Sequence, residues 1–121
     1  MAQRILIADD HEEMRQLIVE LLAAQGYEIR EAADTQGVLA EIERDRPDLL
    51  ILDVNMPGEG GIAALRSIRE KRDLDGMRVL VLSGSVDLAP EWLTEAGADA
   101  HLSKPFPIDE LNSKVRELLG A

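Results

Sequence analysis

The chain has 121 residues, 45% of them hydrophobic, with 24 acidic against 13 basic side chains, a net charge of −11 and no cysteine. That is the size of one ordinary domain, able to bury a core and lacking both disulfides and thiolate metal sites. The charge would repel a phosphate backbone and an anionic bilayer, and no apolar run approaches the ~20 residues of a membrane-spanning helix, so neither nucleic acid nor membrane is an expected partner.

The opening "MAQR" leads directly into a strand-like segment and not into the apolar core of a signal peptide, which predicts a cytoplasmic location. Ile5 to Ala8 form the first apolar run. Met14, Leu17, Ile18, Leu21 and Leu22 then recur at the spacing of an amphipathic helix, closed at Gly26. A weaker strand at Glu28 to Ala32 precedes a helical stripe of Val38, Leu39 and Ile42 that Pro47 closes off. Leu49 to Leu52 is continuously apolar, as a strand covered on both faces should be. A loop, "MPGEGG", then leads to a helix carrying Ile62, Leu65 and Ile68. Val79 to Leu82 make a fourth strand, Trp92, Leu93 and Ala96 a short helix, Ala100 to Leu102 a fifth strand, and Ile108 to Leu119 a final helix. Five strand-helix units with uninterrupted strands predict a parallel sheet between two helical layers, a doubly wound α/β fold.

In such sheets ligands gather beyond the carboxyl ends of the strands. Those ends carry Asp9 and Asp10, Asp53, Ser83 and Lys104. Taken singly, each has an ordinary reading: Asp10 as a helix N-cap, Ser83 as a turn hydroxyl, Lys104 as an exposed strand-end lysine. Together they converge on one edge. Three neighbouring carboxylates repel one another unless a cation lies among them, so the aspartates read as a metal site. With no His or Cys at a strand end, the donors are hard oxygens, which select Mg2+ or Mn2+ over zinc. Mg2+ held this way takes a further ligand from phosphate, yet the chain has neither a phosphate-cradling glycine loop nor a flavin-type turn. A covalently held phosphoryl group is expected. His11, in the turn after Asp10, reads as a helix-start residue, and Met14 and Met56 as packing at the rim of the site.

In their order, "ADD" after the first strand, "DVNMPGEGG" after the third, "LSG" after the fourth and "AHLSKPF" at the fifth resemble the receiver domain of two-component response regulators. The resemblance spans essentially the whole chain. It implies a flavodoxin-like sheet of five parallel strands in the order 2-1-3-4-5, with residues 1–121 as a single receiver domain and no output domain in the chain. It further implies Asp53 as phosphoacceptor, with Asp9, Asp10, Asp53 and the backbone carbonyl of Asn55 around Mg2+. Lys104 and Ser83 would contact the phosphoryl oxygens, and the bond before Pro105 would be cis. Ser83 and the residue three before the lysine form the family's switch; that residue is His101 here, where Tyr or Phe is more usual. The responding surface would run from about Leu88 to Leu119. A histidine kinase or histidine phosphotransfer protein is the implied donor, a downstream protein the implied receiver of the signal, and a homodimer formed on activation a further implied assembly.

Other readings stand beside this one. A receiver excised from a longer regulator or hybrid kinase, a phosphorelay intermediate and a phosphate sink all share the same site. An aspartyl phosphatase of the haloacid dehalogenase type needs a second Asp two residues after the nucleophile, where this chain has Asn55. A flavodoxin-like electron carrier would share the fold, but only Tyr27, Trp92 and Phe106 are aromatic.

Overall fold

Each long apolar run is buried on both sides, and period-two alternation divides its residues between two cores. A computed structural model of the chain describes residues 2–54, 61–71, 74, 76–83, 95, 97–104 and 106–120. Strands β1 (Arg4–Ala8), β2 (Glu28–Ala32), β3 (Leu49–Asp53), β4 (Arg78–Ser83) and β5 (Ala100–Ser103) form one parallel sheet in the order β2-β1-β3-β4-β5. Helices α1 (Glu12–Ala23), α2 (Thr35–Arg44), α3 (Gly61–Arg69) and α4 (Ile108–Leu119) cover its faces. The doubly wound class and the strand order agree with expectation. The short helix expected around Trp92 falls outside the described residues.

Ile5 and Ile7 of β1, Leu49 and Ile51 of β3, Leu80 and Leu82 of β4 and Leu102 of β5 pack with Ile18 and Leu22 of α1 and Leu111 and Val115 of α4. The intervening residues, Leu6, Ala8, Leu50, Leu52, Val79 and Val81, pack on the other face with Val38, Ile42, Leu65 and Ile68 of α2 and α3. Full burial of a Leu or Ile side chain contributes about 1.5–3 kcal/mol, so these two cores hold the sheet rigid beneath its loops. β2, the edge strand, buries only Ala32, which explains its weak signal in the sequence. Among the described residues no helix is long and apolar enough to cross a membrane.

Charged side chains stitch the amino end of the sheet. Arg4 pairs with Asp45 at 2.6 Å, and its backbone N–H donates to Asp48 at 2.8 Å. Arg69, at the end of α3, donates to the carbonyls of Gly97 (2.8 Å), Met77 (2.8 Å) and Leu74 (3.2 Å) and to Asp99 Oδ2 (2.8 Å). Asp99 Oδ2 also accepts the N–H of Val79 at 2.8 Å, so one guanidinium sets where β4 and β5 begin. Gly97 makes this possible. Its φ is +110°, and a Cβ there would lie 2.2 Å from Arg69 Cγ. Gly97→Ala is therefore expected to destabilise the fold by about 2–4 kcal/mol, combining backbone strain with a displaced arginine. Urea denaturation checks this; a change below about 1 kcal/mol would mean that Arg69 does not set the strand starts.

Candidate functional site

The chain leaves β1 for the edge strand β2 and then crosses back to β3, so strand order reverses between β1 and β3 and a crevice opens at their carboxyl ends. Asp9 follows β1 and Asp53 ends β3. Alternation decides which way they face. Ala8 and Leu52 belong to the α2/α3 core, so the next residue of each strand, Asp9 and Asp53, returns to the α1/α4 side. Leu102 lies on that side too, and Lys104 is two residues beyond it. Ser83, one residue after Leu82, falls by the same rule with Val79 and Val81.

The side chains meet accordingly. Lys104 Nζ lies 3.0 Å from Asp9 Oδ2 and 3.2 Å from Asp53 Oδ2. Asp9 is fully buried and the Asp53 side chain is only 2% exposed, so both carboxylates sit where repulsion is poorly screened. The backbone N–H of Lys104 donates to the carbonyl of Ser83 at 2.8 Å, tying the loop after β5 to the end of β4. Burial opposes the charge on Lys104. The hydrogen bond to Asp9 and the charges of Asp53 and Asp9 together outweigh it and raise the ammonium's pKa above its ordinary value.

The aspartate turn is held from both sides. Asp9 Oδ1 accepts the backbone N–H of His11 at 2.9 Å, and the Asp9 carbonyl accepts Arg15 Nη1 at 2.7 Å. Arg15 is aligned in turn by Glu31 of β2, which accepts its Nε–H at 2.9 Å. The sequence did not single out Arg15: it lies five residues after Asp10, outside the three- and four-residue spacings of helical neighbours, and it reaches a backbone carbonyl, not a side chain. The N-cap of α1 is His11, so the ordinary reading of Asp10 as that cap does not hold.

The donor set fits a hard divalent cation. One carboxylate oxygen from each of Asp9, Asp10 and Asp53 lies within 4.8 Å of the others, and the single ammonium of Lys104 leaves two formal negative charges over. Contrary to the expectation of oxygen donors alone, His11 belongs to the same cluster, with Nδ1 3.7 Å from Asp9 Oδ1 and from Asp10 Oδ1. As the cap residue of α1 it has an extended backbone, a feature that sequence position does not reveal. His101 lies half-buried on β5, in register with Val81, and Ser83 ends β4 in register with Ser103. Met14 packs against the α1/α4-side core. Asn55, Met56, Trp92 and Pro105 lie outside the described residues.

Residues 5–116 match the family model for the response regulator receiver domain. The chain belongs to that family. The receiver domain is 36% identical over 121 residues to sporulation initiation phosphotransferase F of Bacillus subtilis (strain 168), a match covering 98% of this chain and 95% of that protein. Identity with the response regulator MprA of Mycobacterium leprae (strain TN) is 39% over 116 residues, 96% of this chain but 50% of MprA, so the chain spans about half the length of that relative. Among solved structures, the chemotaxis response regulator CheY4 of Vibrio cholerae is similar at a TM-score of 0.90 and 30% identity, covering 98% of this chain and 100% of that one. A CheY-like receiver domain protein from Methanospirillum hungatei JF-1 also gives 0.90 and 30%, covering 99% of this chain and 95% of that one.

Lys104→Met removes the cation shared by two buried carboxylates. In metal-free buffer near pH 7 it is expected to cost about 3 kcal/mol of stability. Because the folded-state pKa of Lys104 is raised, its stabilisation is present below the lysine's ordinary pKa of ~10.4 and is lost as pH climbs through the folded value. The gap between wild type and Lys104→Met in urea melts should thus narrow above about pH 10.4; a gap that is constant into that range contradicts the assignment.

Proposed function

We propose that this receiver domain is a signalling switch that accepts a phosphoryl group on Asp53, with Mg2+ or Mn2+, from a histidine kinase or histidine phosphotransfer protein. The observation that carries the reading is the buried Asp53 carboxylate in contact with Lys104 and grouped with Asp9 and Asp10. An Asp53 oxygen attacks phosphorus in line, the bond from phosphorus to the donor imidazole breaks, and a mixed anhydride forms. Negative charge spreads over the equatorial oxygens, and Lys104 and the Ser83 hydroxyl meet two of them. A divalent cation held by Asp9, Asp10, Asp53 and the carbonyl of Asn55 supplies further charge compensation to the phosphoryl oxygens. The protein catalyses only this transfer and its own dephosphorylation.

The product adds nearly two negative charges where the formal charge is already unbalanced. Ser83 and His101 answer it from neighbouring strands, β4 and β5, which offers a physical route from the phosphoryl group to the surface between about Leu88 and Leu119. A downstream protein reads that surface, or a second copy pairs through it. The half-length match to MprA favours the same switch within a longer regulator. The match to nearly all of a protein named a phosphotransferase favours a relay, in which the phosphoryl group moves on to another histidine.

Given Mg2+ and acetyl phosphate, the intact mass should rise by one phosphoryl group, and Asp53→Asn should abolish the increase. Hydroxylamine-sensitive phosphorylation persisting in that variant would overturn Asp53 as the acceptor. Addition of beryllofluoride, a phosphoryl mimic, should shift the NMR resonances of the His101 ring and of the amides from Leu88 to Leu119. A spectrum unchanged there, with the mimic bound, would favour the relay over the switch.

A further inference from the structure

His11 begins α1 with an extended backbone, φ −81° and ψ 104°, and makes no side-chain capping bond. Its imidazole is 76% exposed, yet Nδ1 lies 3.7 Å from Asp9 Oδ1 and 3.7 Å from Asp10 Oδ1. The backbone of the same residue is anchored by its N–H to Asp9 Oδ1 at 2.9 Å. Ligand atoms about 2.1 Å from a first-row divalent ion lie about 3.0 Å apart when adjacent in an octahedron and about 3.4 Å apart in a tetrahedron. The observed 3.7 Å exceeds a coordinating spacing by about 0.3 Å for a tetrahedron and about 0.7 Å for an octahedron, and a mostly exposed ring can close that gap without disturbing the core.

From this we infer that the acidic site is a mixed nitrogen and oxygen centre, in which His11 supplies an imidazole ligand to the later first-row divalent ions, Co2+, Ni2+ and Zn2+. The inference rests on the metal-site reading given under Proposed function and concerns which ions that site prefers. Mg2+ is hard, parts reluctantly with its waters and binds through carboxylates and phosphate, so an imidazole at the rim adds little to its affinity. Co2+, Ni2+ and Zn2+ accept imidazole readily and lie further along the Irving–Williams series. A site built from Asp9, Asp10 and Asp53 alone would favour them modestly; His11 widens the preference. The side chain leaves selection of the phosphoryl acceptor untouched and acts on the occupant of the metal position, making these ions competitors of Mg2+.

The test compares Mg2+ and Ni2+ dissociation constants, by titration calorimetry, for the full chain and its His11→Asn and Asp10→Asn variants. His11→Asn is expected to lower the preference for Ni2+ over Mg2+ by at least 10-fold, within the roughly 10- to 100-fold span of affinity changes around metal ligands. A second readout is independent of affinity. With Co2+ bound, wild-type protein should show one exchangeable, paramagnetically shifted imidazole N–H proton, lost in D2O and absent from His11→Asn. An unchanged ion preference, or a shifted N–H that persists in His11→Asn, overturns the role of His11 while leaving the Mg2+ site intact. If wild-type protein fails to bind Mg2+, or Asp10→Asn binds both ions as wild type does, it is the underlying metal-site reading that fails.

Discussion

Burial of β1, β3 and β4 on both faces is the constraint from which the rest follows. A parallel strand between two helical layers leaves no face for polar side chains, so the chain can carry chemistry only where the strands end. Alternation then converts strand register into functional geometry. Asp9, Asp53 and Lys104 share one side of the carboxyl edge, whereas Ser83 takes the other, because each strand stops at a particular parity. Shifting β3 by a single residue would bury its carboxylate among the α2/α3 core side chains and leave Lys104 with one partner.

The edge concentrates a charge imbalance that the core cannot screen. Asp9 and Asp53 are tolerated out of water because Lys104 touches both and because backbone and side-chain donors, from His11 and Arg15, satisfy the turn between β1 and α1. This arrangement does not neutralise the site. It leaves a surplus of negative charge that a cation would relieve and a phosphoryl group would aggravate, so both proposed events would draw on one electrostatic imbalance.

Much of this was legible in the sequence. The strands β1, β3 and β4 were visible as uninterrupted apolar runs, and their polar terminal residues as a convergent set, because burial on two faces removes the alternation that would blur a boundary. β3 and β4 each extend one residue further than their apolar runs, onto Asp53 and Ser83, since a buried polar group can close a ladder once a partner is at hand. β2 was faint because an edge strand has no second neighbour to demand apolar side chains. The contributions of His11 and Arg15 were not legible. One depends on the backbone angles of a single cap residue and the other on the reach of a long side chain to a carbonyl, and neither property is encoded in hydrophobic periodicity.

Among the described residues, one group of ion pairs, around Arg4, Asp45, Arg69, Arg78 and Asp99, fastens the amino end of the sheet, opposite Asp9 and Asp53. The molecule thus has a fastened end and a working end, joined by strands too stiff to stretch. Sequence drift can strengthen or weaken the fastened end, shifting how long the protein survives heat or proteolysis, without altering what the working end recognises. A substitution at the fastened end alters stability without touching Asp9, Asp53 or Lys104, whereas one at Lys104 alters stability and the site together.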